Sequence, residues 1–173
     1  MKKILAINSI SFKKRMIELL FDYLFILAYL ALLFLGSMLF YTIFFNGIPE
    51  FTEIQSQCLV FFTSVLPVTL LFTFLDYTKN GSFGKAKAGL QLVYKKKTVQ
   101  ASLIRNAIKF LPWQIGHMSA IHSVYNGFDL LYFILCYTSI LFLVVLLAMS
   151  IFRKDKRHLG DLLAHTQVQL KGN

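Results

Sequence analysis

Three charged residues near the start of the chain, Arg15, Glu18 and Asp22, are spaced three and four apart and so share one face of a helix. Arg105 and Lys109 stand one turn apart further on, followed at helical spacing by Gln114 and His117, and Asp161 lies in the closing stretch RHLGDLLAHTQV. Acids and bases of this kind, next to apolar runs, can do two things. They can tie helices together as ion pairs, with Arg15, Arg105, Asp22 and Asp161 forming one knot. Alternatively, they can supply an ion or proton site, with Asp22, Glu18 and His117 as the titrating groups. A carboxylate at a helix end near the interface is cheap, whereas one held deep in a bundle is costly and points to function. Asp161 can also be read as the cap of a short tail helix.

The elements that must position these residues are membrane spans. The chain has 173 residues, 57% hydrophobic and 16% aromatic, with 18 phenylalanines and only 15% charge. That is too apolar for an ordinary soluble domain, and about 20 apolar residues make a span. Spans are expected at about 16–45, 54–75, 102–122 and 128–152, with a polar segment at 76–101 and a tail at 153–173, all in one domain. The third is the ambiguous one, since Arg105, Lys109, Pro112, Trp113, Gln114 and His117 fall where a span is normally apolar. It either crosses as a polar-lined helix, with Arg105 and Lys109 snorkelling to the inner interface, or makes a re-entrant excursion.

Charge placement favours crossing. The arm before residue 16 holds five Lys or Arg, Lys2 and Lys3 among them. Residues 79–109 hold eight and the tail from Arg153 holds five, which accounts for all eighteen. The stretches 46–53 and 118–129 hold none. Four spans put every basic residue in the cytoplasm, whereas three would leave the tail's cluster outside against the positive-inside rule. The arm itself reads as a short amphipathic or disordered segment and not as a cleavable signal. The expected fold is an all-α membrane protein of four transmembrane helices, both termini cytoplasmic. Pro67 kinks the second span, leaving a carbonyl for a neighbour to satisfy. Between the second and third spans, Leu90 to Tyr94 and Thr98 to Gln100 read as a small β-hairpin turning at Lys95 to Lys97. Thr166 to Leu170 alternates in the same way and is a candidate third strand.

Several chemistries are excluded. The net charge of +10 is spread beside apolar runs and not along a basic helix, so nucleic acid is not the partner. Cys58 and Cys136 lack CxxC spacing and the four histidines lack metal spacing, so no metal or cofactor is expected. GKAKAGLQLV lacks the GxxxxGK[ST] pattern. Gly84 and Gly89 read as turn residues, and Lys85, Lys87, Lys95, Lys96 and Lys97 as contacts for anionic headgroups. Nothing has the arrangement of an enzyme. The expected partners are membrane lipids and either further copies of the chain or another membrane protein.

Four of these landmarks occur together in one order. They are Arg15 and Asp22 in FKKRMIELLFDYLF; Gly84, Lys85, Gly89, Leu90 and Val93 in FGKAKAGLQLV; Arg105 in SLIRNAIKFLP; and Asp161, Ala164 and Thr166 in RKDKRHLGDLLAHTQV. In this the chain resembles the RDD family of small bacterial polytopic membrane proteins, although Gly160 stands directly before Asp161 where the family usually has histidine. The resemblance implies the fold more than the activity. Some family members are associated with monovalent cation–proton exchange, and many have no assigned role. The two functions expected are therefore small-cation/proton transport and a non-transporting accessory or assembly role that uses the basic cytoplasmic face.

Overall fold

The computed structural model describes residue 4 and residues 7–172. Lys2 and Lys3 of the basic arm lie outside the described residues. Helix α1, Phe12–Phe45, is started by Ser11, whose hydroxyl accepts the Lys14 N–H, and ends at Asn46 with φ 56°. The second long segment is α2 (Glu53–Val60), a π-helical turn (Phe61–Val65) and α3 (Leu66–Lys79). Thr52 and Gln55 cap its start reciprocally. The break in the middle follows from Pro67, which has no N–H to give the Thr63 carbonyl four residues back. The turn before it widens to the π form, and Tyr29 Oη of α1 donates to the freed Thr63 carbonyl. That satisfies a group that would otherwise be costly in lipid.

Short helix α4 (Phe83–Lys87) and strand β1 (Leu90–Tyr94) lead to α5 (Val99–Asn126), an unbroken helix of 28 residues. Helix α6 (Leu130–Phe152), short helix α7 (Leu159–Leu163) and strand β2 (Thr166–Leu170) complete the fold. Helices α5 and α6 pack antiparallel: Ser139 Oγ donates to the Pro112 carbonyl at 2.7 Å and Ser119 Oγ to the Tyr132 carbonyl at 3.2 Å. Gly116 permits the close approach, because a Cβ there would lie 3.1 Å from Ser139 Oγ. Among the described residues, three segments are long and apolar enough to cross a membrane: Phe12–Phe45, Glu53–Lys79 and Leu130–Phe152. Helix α5 has the length but not the apolar composition.

The sheet corrects the expected hairpin. Strand β1 pairs antiparallel with β2 from the tail, Leu90 opposite Leu170 and Tyr94 opposite Thr166. Thr98 to Gln100 is no strand, because the Thr98 hydroxyl accepts the Ala101 N–H at 3.1 Å and starts α5 instead. Ile10, Leu90, Leu92, Tyr94, Ala101 and Val168 form a small apolar core beneath the sheet. The described part of the basic arm belongs to this head and is not free. The Asn8 amide donates to the Val168 carbonyl at 2.6 Å, and its backbone N–H donates to the Lys154 carbonyl at 2.9 Å.

Within the helical layer, Val68 and Phe72 of α3, Phe110 of α5 and Ile26 of α1 make a second core. Burial is uneven: 39% of the most apolar window of the α2–α3 segment is buried, against 6% for α1 and 6% for α6. The central pair is thus α3 and α5, with α1 and α6 as outer helices.

Candidate functional site

The charged residues converge where the small head meets the helices. Helix α1 contributes Arg15, Glu18 and Asp22 from one face, all buried. The last turn of α3 contributes Asp76, α4 contributes Lys85 behind its capping Ser82, and α5 contributes Arg105, Asn106 and Lys109. Helix α7 supplies His158 and Asp161. A carboxylate or ammonium removed from water is tolerated only when paired and hydrogen-bonded, and the pairing here is extensive. Arg15 Nη1 lies 2.8 Å from Glu18 Oε2, while Arg15 Nη2 donates to the Lys156 carbonyl at 2.9 Å. Lys85 Nζ bridges Glu18 Oε1 at 3.5 Å and Asp76 Oδ1 at 3.3 Å. Arg105 joins Asp76 Oδ2 at 2.6 Å to Asp161 Oδ1 at 2.7 Å. Lys109 Nζ lies 3.2 Å from Asp22 Oδ2. Four acids face four bases.

Neutral donors complete the acids. Asp22 accepts Ser82 Oγ and the Gly84 N–H, both at 2.9 Å. Asp76 accepts Asn106 Nδ2 at 3.0 Å, and Asp161 accepts Thr166 Oγ1 at 2.8 Å. Gly84 is therefore not a turn residue: a Cβ there would lie 2.1 Å from the Glu18 carbonyl oxygen, so α4 could not lie against α1 with any other residue. Gly89, at φ +67°, is one.

His158 begins α7, its Nδ1 accepting the Gly160 N–H at 3.0 Å, so the histidine and not Asp161 is the cap. That bond requires an unprotonated Nδ1 and leaves the ring proton on Nε2, which faces Asp161 Oδ2 at 3.3 Å. Burial pushes the His158 pKa down to about 4, against the pull of Asp161. Burial works against ionisation of Asp161, but the His158 ring and the Arg105 guanidinium outweigh it and hold the carboxyl well below the usual carboxylate range.

Several expectations change here. Arg15, Glu18, Asp22, Arg105 and Asp161 do share one network, in which Arg15 pairs with Glu18, Arg105 with Asp161, and Asp22 with Lys109. Lys85 is not a headgroup contact, being 0% exposed inside the cluster. Lys87, Lys95, Lys96 and Lys97 are exposed. Lys109 does not snorkel outward. Its ammonium stays on Asp22, 4.5 Å from the Phe72 ring centroid and 5.1 Å from that of Phe110. His117 stands outside the cluster, and its Nε2 has no hydrogen-bond partner among the described residues.

Sequence reasoning missed Asp76, His158, Ser82, Asn106 and the linking role of Lys85. Their available signals were weak: Asp76 ends an apolar helix, where an acid ordinarily marks the interface, and Lys85 sits among other loop lysines.

A cavity of about 410 Å³ opens above the cluster between α1, α5 and α6, running from Arg15, Lys109 and His158 to His117 and Ser139. At the far end of the molecule His122 lies between two acids, Nδ1 at 2.8 Å from Glu53 Oε1 and Nε2 at 3.1 Å from Asp129 Oδ2. The Tyr132 N–H and then His122 hold the Asp129 carboxyl below its ordinary value. Among the described residues no group of three His, Cys, Asp or Glu side chains is placed to hold a metal.

Comparison with curated proteins and with solved structures finds no match. The RDD family model matches residues 10–165, from the arm to the turn before β2, and thus takes in every charged member of the buried cluster. The chain belongs to the RDD family.

Proposed function

We propose that this RDD protein crosses a bacterial cytoplasmic membrane four times with both termini inside, and that it serves as a non-transporting accessory or assembly subunit. The topology is supported by α5, which stays helical over 28 residues and packs along α6. It is also supported by the absence of Lys and Arg from residues 46–53 and 127–129 at the far end. A cysteine at Ser123 or Asn126, in a chain lacking Cys58 and Cys136, should react with an impermeant reagent on intact cells. Labelling only after permeabilisation refutes the fourth crossing.

The observation that carries the accessory reading is the pairing of Glu18, Asp22, Asp76 and Asp161, each within 3.5 Å of a Lys or Arg. A carboxylate that loads and releases cations needs an open coordination position, and Glu18, Asp22 and Asp76 have both oxygens engaged by protein donors or cations, while Asp161 has Oδ1 engaged by Arg105 and Thr166 and Oδ2 facing the His158 ring. The basic, exposed surface of the head is then what engages anionic lipid, a second copy or a membrane-protein partner. One observation favours the transport reading: His117, with its free Nε2, lines the same cavity as Asp22 and Lys109. Flux in proteoliposomes separates the two. The accessory role predicts no movement of Na⁺, K⁺, Li⁺ or protons. Flux that disappears in Asp22→Asn establishes transport instead.

A further inference from the structure

We propose that His122, Glu53 and Asp129 form a proton-binding site at the far end of the molecule, and that the bound proton holds the α1–α2 and α5–α6 connections together. His122 lies one turn before the end of α5. Glu53 is the first residue of α2, and Asp129 is the cap of α6, its Oδ1 accepting the Tyr132 N–H at 2.8 Å. One ring therefore reaches both connections. Nδ1 is 2.8 Å from Glu53 Oε1, and Nε2 is 3.1 Å from each carboxylate oxygen of Asp129. A carboxylate oxygen can only accept, so each ring nitrogen must carry a proton to bond both acids. A ring with two protons is charged.

Among the described residues neither acid has a Lys or Arg partner, and residues 46–53 and 118–129 hold no Lys or Arg. The titratable groups bonded to the ring are thus Glu53 from α2 and Asp129 from the α6 cap. Helix α5 itself adds Asn126, whose Nδ2 donates to Glu53 Oε2 at 2.8 Å and lies 3.1 Å from His122 Nδ1. The Tyr125 hydroxyl bonds elsewhere, to the Phe51 carbonyl and to Ser56, both at 2.7 Å. When the proton leaves, the ring keeps one N–H. With that proton on Nε2 for Asp129, Nδ1 becomes an acceptor that Asn126 can fill, and Glu53 Oε1 is left 2.8 Å from a lone pair. The Glu53 contact is the one that opens, so the start of α2 moves from α5 while the α6 cap stays. Histidine is the side chain suited to such a change between about pH 5 and 8. With both termini inside, as proposed above, the site faces outward and reads external pH.

The test uses the full-length protein in detergent, with Cys58 and Cys136 replaced by serine and spin labels on cysteines at Ile48 and Phe128, exposed positions in the two connections. Ring-nitrogen NMR reads the protonation of His122, identified as the signal missing from His122→Gln, and the distance between labels reads the connections. In acid both ring nitrogens should carry protons and the distances should be short and narrowly spread. As the ring titrates, the distances should lengthen with the same midpoint. Glu53→Gln should require about tenfold more acid to charge the ring, and His122→Gln should give one distribution at every pH. If His122→Gln does not fold, Asp129→Asn replaces it: asparagine keeps the cap, should also require about tenfold more acid, and identifies the ring as the signal that both acid variants move. A ring that titrates without a change in distance, a distance change that survives in His122→Gln, or a midpoint unmoved by the acid variants overturns the proposal. Titration in detergent is independent of the side the site faces, so its failure is separate from a failure of the four-span topology.

Discussion

Replacing His158 by asparagine should make the protein less sensitive to mild acid. The buried ring is neutral in the folded state because Nδ1 is committed to the Gly160 N–H, and its pKa is down at about 4. An unfolded histidine titrates near 6.5, so between about pH 6.5 and 4 the unfolded chain takes up a proton that the folded protein refuses. Stability therefore falls as pH drops through that window. At about pH 5 the loss relative to neutrality comes to about 2 kcal/mol, or about 4–8 °C in unfolding midpoint for a chain of this size. Asp161 contributes nothing to that window. Its folded pKa is far below the unfolded value, so its stabilisation is complete above the usual carboxylate range and is lost only at much lower pH. Asparagine keeps a side-chain oxygen that can accept the Gly160 N–H but has nothing to titrate. Unfolding midpoints of wild type and His158→Asn at pH 7 and pH 5 isolate the effect as a difference, which cancels the other histidines. If both proteins lose the same number of degrees, His158 is not the buried neutral group argued for here.

Asp161→Asn leaves Arg105 short of one counter-charge while keeping an acceptor, and should cost about 3 kcal/mol, the lower end for breaking a buried pair. Membrane levels should fall accordingly. Adding Arg105→Gln should restore them only in part, because Arg105 also serves Asp76. Gly84→Ala places a methyl group 2.1 Å from the Glu18 carbonyl oxygen and 2.7 Å from Asp22 Oδ1. It should cost at least the upper end of about 1–3 kcal/mol, read as loss of monodisperse protein on gel filtration. Gly36→Ala, with nothing within 4 Å, should behave as wild type and serves as the control. Tyr29→Phe strips the Thr63 carbonyl of its donor and should lower stability by about 1–3 kcal/mol in a denaturation assay.

What could be read from the chain was what depends on period and local charge. Tyr23 to Phe45 and Phe128 to Phe152 are apolar without interruption, and the three-and-four spacing of Arg15, Glu18 and Asp22 defines a face on any helix. The alternation of Thr166 to Leu170 marked a strand. What it could not mark was the partner, since β1 lies more than seventy residues earlier and a local hairpin is equally compatible with the pattern. Thr98 misled for a similar reason: threonine suits both a strand and a helix cap, and only the following helix decides. Most of the pairing inside the cluster was illegible because Arg105 and Lys109 take acids 29, 56 and 87 residues away in the chain, with nothing local to choose among them. The choice among them is made by α4 lying against α1, a contact that rests on the missing side chain of Gly84.

The β1–β2 pairing has a consequence for how the molecule is made. Residues 90–94 reach their partner only after residues 166–170 have been synthesised, and Arg105 receives Asp161 at nearly the same moment. Until then the inserted helices carry an arginine with half of its counter-charge, and the head is an open edge strand with no neighbour. Residues 161–170 thus act as a completion signal for the head. A chain interrupted before residue 161 has all of its long helices and still presents the unpaired charge and exposed strand by which unfinished proteins are cleared.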